Sequence, residues 1–231
     1  MTLALPASPV LLELPPAVSS VGFAVEDHQA VLAALGSLRL EGVPERAVAK
    51  RRAEYLAGRF AALTALRKLG IDQAPGRNED GSPRWPLAVV GSITHGAGRA
   101  WCAVAESTSA RALGIDVERT MNEDVRIELA RRICTDTELA LLSSELPLPP
   151  QERLTLAFSA KESLYKCLYP LVGRFMDFHA AEVVAVAGTS QLQLGLKLTR
   201  DWSESFRAGT VVTAQARSSA SYVETAVLLT S

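Results

Sequence analysis

Two carboxylates one residue apart form the first candidate site, in the segment GIDVE at 114–118. Side chains alternate along a β-strand, so Asp116 and Glu118 would lie side by side on one face. Neighbouring carboxylates repel unless a cation bridges them, and their hard oxygens suit Mg²⁺, which binds one or two protein carboxylates together with water and phosphate. An isolated pair of this kind is more often an ordinary solvated strand face, but together with the charged helix described next it predicts a magnesium site.

The segment FSAKESLYKCLYP at 158–170 adds charged residues to a helical pattern. Glu162 and Lys166 are four residues apart, and the alternative to a functional role is a surface ion pair that stabilises the helix by about 0.2–0.5 kcal/mol. Lys161 lies at the flank, where its ammonium could reach a phosphate. The apolar positions are predicted to form the opposite, buried face: Ala157, Ala160, Leu164, Cys167 and Leu168.

A third polar group ends an apolar strand in GSITHG at 91–96. Ser92, Thr94 and His95 stand next to a glycine turn, where hydroxyls, an imidazole and backbone N–H groups can face an anion. A lone histidine is more often structural, and a run of basic residues is usually the solvated side of a helix. The basic residues that could join an anion site are Arg46, Lys50, Arg51, Arg52, Arg59, Arg77 and Arg84.

The elements that must position these residues are segregated helices and hairpins. Apolar spacing predicts a long amphipathic helix over 44–70, and a loop rich in Gly, Pro and Asp follows at 72–86. Segregation of this kind is typical of an α+β fold. Strands are predicted at 87–95, 99–108, 111–120, 181–188, 191–200, 210–218 and 222–230, and helices at 122–133, 135–145 (with a capping box at Thr135 and Glu138) and 151–169, the last halted by Pro170.

Composition restricts the function classes. The 231 residues carry a formal net charge of -1, so no global field would hold nucleic acid or an anionic membrane. No apolar run reaches the roughly 20 residues of a membrane span, and the N-terminus lacks a basic start, which predicts a cytoplasmic protein. Cys102, Cys134 and Cys167 are predicted to be reduced thiols in the core.

The order of four motifs resembles the 4'-phosphopantetheinyl transferases. The motifs are KRRAEYLAGR, WPLAVVGSITH, GIDVE and FSAKESLYKCLYP, and together they span about residues 45 to 180. The closest likeness is to the large single-chain (surfactin-type) class, in its enterobactin synthase component D-like branch. The resemblance implies two similar α+β halves related by a pseudo-two-fold, with coenzyme A in the cleft between them. A Ser-rich seam at 106–110 gives halves of 1–108 and 109–231.

The resemblance also implies a reaction and roles. Family members transfer 4'-phosphopantetheine from coenzyme A to a serine of an apo carrier protein and release adenosine 3',5'-bisphosphate. Asp116, Glu118 and Glu162 would bind Mg²⁺, or Mn²⁺, with Glu162 as the alternative serine base; Asp116 and Lys166 would complete the catalytic set. The coenzyme A contacts would be Thr94, His95, Arg51, Arg52, Arg59, Arg84, Lys161 and Lys166.

One departure concerns the loop before WP. Ser82 stands where relatives often have a basic residue, and Arg77 or Arg84 could replace that contact. The implied partners are acyl or peptidyl carrier proteins of siderophore, peptide or polyketide pathways, and the implied state is a monomer. Two other hypotheses stay open: a different Mg²⁺-dependent phosphotransfer or hydrolysis of a nucleotide cofactor, and a catalytically silent module that binds an acidic partner. The partner surface could include Arg174, Phe175 and Phe178, although the two aromatics are also plausible core residues.

Overall fold

The computed structural model describes residues 5–38, 42–43 and 47–230. By its internal contacts the chain forms two compact units, Met1–Leu113 with Thr230–Ser231 (unit 1) and Gly114–Leu229 (unit 2). The boundary predicted after residue 108 lies close to this division. The predicted pseudo-two-fold and the cleft stay predictions.

Unit 1 packs helices on a three-stranded antiparallel sheet of order β1-β5-β4. The helix predicted over 44–70 begins at residue 49 and ends at residue 67; residues 44–46, including Arg46, lie outside the described residues. The elements are β1 (Ser19–Ala24), α1 (His28–Leu35), α2 (Ala49–Arg67), β2 (Gly76–Arg77), β3 (Pro83–Arg84), β4 (Val89–Gly96) and β5 (Arg99–Glu106).

Close packing brings α2 against β4. A Cβ atom at Gly58 would lie 2.8 Å from Cγ2 of Ile93, so the glycine lets the helix approach the strand. The buried side of α2 follows the predicted apolar spacing, because Leu56 and Leu66 are almost completely excluded from solvent. The helix therefore has one face fixed by the core; Arg59 is buried with that face, while Lys50, Arg51 and Arg67 are exposed.

Unit 2 packs three helices with a five-stranded sheet of order β6-β10-β9-β8-β7. The neighbours β10 and β9, β9 and β8, and β8 and β7 pair antiparallel. The predicted Ser-rich seam is the turn between β5 and β6, at residues 107–109. The elements are β6 (Ala110–Arg119, whose first residues belong to unit 1), α3 (Glu123–Ile133), α4 (Asp136–Glu145), α5 (Pro150–Val172), a 3-10 turn (Phe178–Ala180), β7 (Ala181–Ala187), β8 (Leu192–Leu198), β9 (Val211–Ser218) and β10 (Tyr222–Thr230).

The ends of α4 and α5 test two local predictions. The capping box of α4 is confirmed, with the Thr135 hydroxyl accepting from the Glu138 amide and the Glu138 carboxylate accepting from the Thr135 amide. The prediction that Pro170 halts α5 is wrong. The helix continues to Val172 and ends at Gly173, whose φ of 68° is left-handed and whose N–H donates to Tyr169 O. A proline in the last turn removes a single N–H, which a helix end tolerates more readily than its interior does.

The mixture of separate helices and antiparallel sheets confirms the α+β class. Cys102, Cys134 and Cys167 are buried free thiols, as predicted. Burial raises the pKa of Cys134 and Cys167 to about 12, which keeps these thiols protonated at neutral pH. Across the described residues, no helix combines the length and apolar character needed to cross a bilayer.

Candidate active site

A glycine determines how closely β6 approaches α5. A Cβ atom at Gly114 would lie 2.0 Å from Ser163 O and 2.5 Å from Cys167 N, both of which are backbone atoms of α5. Only glycine permits this approach. The first residue of GIDVE thereby brings the carboxylate of Asp116, two residues later, within reach of the side chains of α5.

Asp116 is buried, with 2% of its surface exposed, and both of its carboxylate oxygens are bonded. Lys166 Nζ donates to Oδ1 at 2.6 Å, and Ser159 Oγ donates to Oδ2 at 2.8 Å. A buried carboxylate needs such partners, because desolvation of an unpaired charge costs several kcal/mol. The predicted association of Asp116 with the lysine helix is therefore present inside unit 2.

Lys166 is predicted to lie with Glu162 on the face opposite the apolar residues, with a surface ion pair as the alternative. Its side chain is 28% exposed and its ammonium pairs with Asp116 of β6. The predicted buried face is confirmed. Its residues are almost completely excluded from solvent: Ala157, Ala160, Leu164, Cys167 and Leu168. Helical spacing indicates which residues share a face, but it does not determine which strand packs beside them.

The carboxylates around Asp116 create an excess of negative charge. The pKa of Glu118 is raised to about 7, first by burial and then by the Asp116 and Glu162 carboxylates, against the opposing effect of Lys166. The pKa of Glu162 is also raised, mainly by burial and further by Asp116, although Lys166 lowers it. Three acidic side chains therefore share the field of one lysine. A divalent cation beside them would relieve this repulsion.

The donor set fits Mg²⁺ in part. Hard carboxylate oxygens on Asp116 and Glu118 match its preference, and Lys166 shows that one oxygen of Asp116 already accepts a cationic partner. However, the described residues contain no group of three or more His, Cys, Asp or Glu side chains arranged to hold a metal ion. The predicted third ligand, Glu162, is thus not part of an assembled ligand group. Asp116 and Glu118 would need water or phosphate oxygens to complete the coordination.

Lys161 has a structural partner in place of the predicted phosphate. Its side chain is 3% exposed, and its ammonium pairs with Glu138 Oε1 at 2.7 Å and donates to Ile133 O at 2.6 Å. Glu138 also accepts from the backbone N–H groups of Val183 and Thr135. Buried charge of this kind ties the end of α3, the start of α4, β7 and α5 together. This buried pairing contradicts the prediction that Lys161 contacts coenzyme A.

Glu162 lines a cavity of about 240 Å³ in unit 2, together with Lys161 and with aromatic residues that include Tyr165, Phe178 and Trp202. Phe178 is half-buried and packs against Phe158 with ring centroids 5.2 Å apart. Phe175 is 76% exposed, so its interpretation as a core residue is wrong. The contribution of these aromatics to a partner surface stays a prediction.

The predicted anion-binding residues of unit 1 have different surroundings. Thr94 is buried on β4, and His95 is exposed with Nδ1 3.7 Å from Glu54 Oε2. Arg59 is buried; its guanidinium donates to Pro75 O and Gly76 O and lies over the Tyr55 ring. This geometry gives Arg59 a structural role in holding the loop before β2.

The other basic residues are more open. Arg51 and Arg84 are exposed, whereas Arg52 is half-buried. Among the described residues, Arg52 Nε is one of three buried side-chain N or O atoms without a hydrogen-bond partner. Ser82 donates to Asp80 within its turn, and Arg77 donates to Gly42 O. Arg77 and Arg84 are both exposed, so either can replace the basic residue missing at Ser82.

Sequence analysis missed several polar residues that support the site. A fully buried cluster of three hydrogen-bonded hydroxyls lies beside Asp116, formed by Ser159 and Ser163 on α5 and Thr225 on β10. Glu138 was identified only as a capping residue. The available signal was the spacing of Ser159, Ser163 and Lys166 at i, i+4 and i+7, which places all three on one helical stripe.

Comparison with known proteins gives matches over both units. Residues 40–105 match the 4'-phosphopantetheinyl transferase N-terminal domain, and residues 112–223 match the 4'-phosphopantetheinyl transferase superfamily. Enterobactin synthase component D of Salmonella typhimurium is 41% identical over 140 residues, which are 61% of this chain and 57% of that protein.

Two further relatives carry transferase names. The 4'-phosphopantetheinyl transferase Svp of Streptomyces mobaraensis is 40% identical over 142 residues, 60% of this chain and 56% of its own. The 4'-phosphopantetheinyl transferase PptT of Mycobacterium tuberculosis is 34% identical over 142 residues, 60% of both chains. The chain thus aligns with somewhat less than two thirds of the length of these curated relatives.

Proposed function

Because the chain belongs to the 4'-phosphopantetheinyl transferase superfamily, we propose that it transfers 4'-phosphopantetheine from coenzyme A to a serine of an apo acyl or peptidyl carrier protein. The observation that carries the proposal is the group of Asp116, Glu118, Glu162 and Lys166 in unit 2. We extend the proposal to carriers of siderophore or peptide synthesis, because one of the relatives is an enterobactin synthase component. The cytoplasmic location and monomeric state stay predictions.

In this reaction the serine oxygen forms a bond to the phosphorus that carries pantetheine, and the phosphoanhydride bond to the nucleotide breaks. The serine proton passes to Glu162, and adenosine 3',5'-bisphosphate leaves. A raised pKa suits Glu162 to this task, since a base is most effective when its pKa approaches the working pH. Lys166 stabilises the phosphate charge that develops as the bond breaks.

Mg²⁺, held by Asp116 and Glu118, would supply charge neutralisation on the pyrophosphate. The chain's own residues then bind and orient the substrate. We propose that Thr94 and His95 contact the pyrophosphate, and that Arg51, Arg52 and Arg84 contact the 3'-phosphate and adenine end. We give Arg59 a supporting role, because its guanidinium already bonds the carbonyls of the loop before β2.

The test combines apo carrier proteins, coenzyme A, Mg²⁺ and the purified protein. We expect the mass of a carrier to increase by one phosphopantetheinyl group. Absence of modification across several carriers would refute the proposal. Release of adenosine 3',5'-bisphosphate without a carrier would favour hydrolysis of the cofactor instead.

The substitution Glu162→Gln tests the proposed base. Transfer should fall by about 10²–10⁴-fold, the usual contribution of general acid–base catalysis, while coenzyme A binding is retained. Glu182→Gln is the matched control, because Glu182 is a partly exposed residue of β7 that pairs with Lys197. Equal activity of the two variants would contradict the assignment of Glu162.

A further inference from the structure

Three buried hydroxyls connect the interior of unit 2 to Asp116. Ser159 Oγ donates to Asp116 Oδ2 at 2.8 Å and lies 2.9 Å from Thr225 Oγ1, which in turn lies 2.7 Å from Ser163 Oγ. Ser159, Ser163 and Thr225 are all fully excluded from solvent. The hydroxyls therefore depend on one another and on neighbouring carbonyls for their hydrogen bonds.

The carboxylate determines the direction of these hydrogen bonds. An ionised carboxylate only accepts, so the single proton of Ser159 is directed to Asp116. In the contact between Ser159 and Thr225, Thr225 is then the donor, and Ser163 can donate to Thr225 in the same sense. Thr225 Oγ1 also lies 2.8 Å from Ser159 O, and Ser163 Oγ lies 3.1 Å from Thr225 O. In both contacts the hydroxyl is the donor, so the single proton of Thr225 and that of Ser163 are each shared between a neighbouring hydroxyl and a carbonyl.

The two donors to Asp116 differ in mobility and in their other tasks. Lys166 reaches Oδ1 through a long side chain that is 28% exposed, and its ammonium is also the proposed phosphate ligand. Ser159 reaches Oδ2 from a short side chain enclosed between α5 and β10. When a phosphate or a cation competes for Lys166 or Asp116, Ser159 is the donor that keeps its position.

We propose that Ser159 is a positioning residue that fixes the Asp116 carboxylate for cation binding, and that Thr225 orients the Ser159 hydroxyl. This inference rests on the proposed function, in which Asp116 binds the catalytic cation. Partners of this indirect kind commonly change metal affinity by about 10–100-fold when they are removed. Removal of the Ser159 hydroxyl should lower the affinity for the cation and leave the folded structure intact.

The experiment measures Mn²⁺ and Mg²⁺ binding to the substrate-free protein by calorimetry, together with the Mg²⁺ dependence of transfer. We expect Ser159→Ala to weaken cation binding by about 10-fold or more and to raise the Mg²⁺ concentration for half-maximal activity to the same extent. Ser163→Ala is the matched control. It removes the same group from the same helix at the same burial, but this hydroxyl bonds to the side chain and the carbonyl of Thr225. A smaller effect on cation affinity is expected.

Thr225 provides a second pair of variants. Thr225→Val keeps the shape and removes the hydroxyl, whereas Thr225→Ser keeps the hydroxyl; we expect weaker cation binding only in Thr225→Val. If Ser159→Ala fails to fold in thermal unfolding measurements, this pair still decides the question. Equal cation affinities in all four variants and the wild type would overturn the inference. A wild-type protein that binds the cation but modifies no carrier would refute the proposed function alone.

Discussion

The two lysines of the FSAKESLYKCLYP segment occupy opposite environments, although they are five residues apart on the same helix. Lys161 is enclosed, 3% exposed, and pairs with the equally buried Glu138. Lys166 is 28% exposed and pairs with Asp116 beside two further carboxylates. The first pair is locally complete and ties backbone segments together. The second belongs to a group with excess negative charge, as expected of a site that recruits a cation and an anionic substrate.

The largest effect on stability should come from breaking the enclosed pair. Lys161→Met leaves the Glu138 carboxylate buried without its cation, which typically costs about 3–5 kcal/mol. Lys197→Met is the matched control, since Lys197 is partly exposed and pairs with Glu182 at 3.6 Å, an arrangement worth about 0–1 kcal/mol. Chemical denaturation measures both. Equal stability of the two variants would contradict a structural role for Lys161.

Lys166→Met should show the converse pattern. We expect transfer to fall by about 10²–10³-fold, the usual effect of removing one donor that stabilises developing charge. The loss of stability should be smaller than in Lys161→Met, because Asp116 retains the Ser159 hydroxyl and Lys166 is 28% exposed, so that water can take the place of its ammonium. Transfer rates and denaturation curves provide the comparison. Full activity in Lys166→Met would show that the second lysine is also structural.

A further expected effect concerns pH. The folded protein raises the pKa of Glu118 from 4.5 to about 7, mainly by burial, so the folded state binds this proton more tightly than the unfolded chain does. The stability that protonated Glu118 contributes to the folded state is complete below pH about 4.5 and is lost as the pH rises through about 7.

Glu118→Gln removes this titration. In metal-free buffer, the melting temperature of the variant should rise relative to that of the wild type as the pH increases from 5 to 8. Mg²⁺ added at pH 8 should stabilise the wild type more than the variant, because the cation offsets the carboxylate repulsion. A difference in melting temperature that does not change with pH would contradict the charge excess around Asp116.

Much of the fold follows from local pattern. The apolar spacing identified α2, α3 and α5, and the Thr135 and Glu138 pair correctly placed the start of α4. Alternation identified the strands from β4 onward. Sequence analysis did not identify β1 or α1, which lie in a region rich in short apolar runs and prolines and are fixed by pairing with β5 and by packing on α2.

The sequence by itself determined the chemistry available: paired carboxylates at Asp116 and Glu118, and a helix bearing Glu162, Lys161 and Lys166. It could do so because period-two and helical spacings are properties of adjacent residues. The tertiary structure alone decided which lysine is enclosed and which remains partly open, and it brought Thr225 to Ser159 and Glu138 to Lys161. Those contacts join residues far apart in the chain, and the burial that decides their roles depends on packing between elements, such as that of β6 against α5 at Gly114.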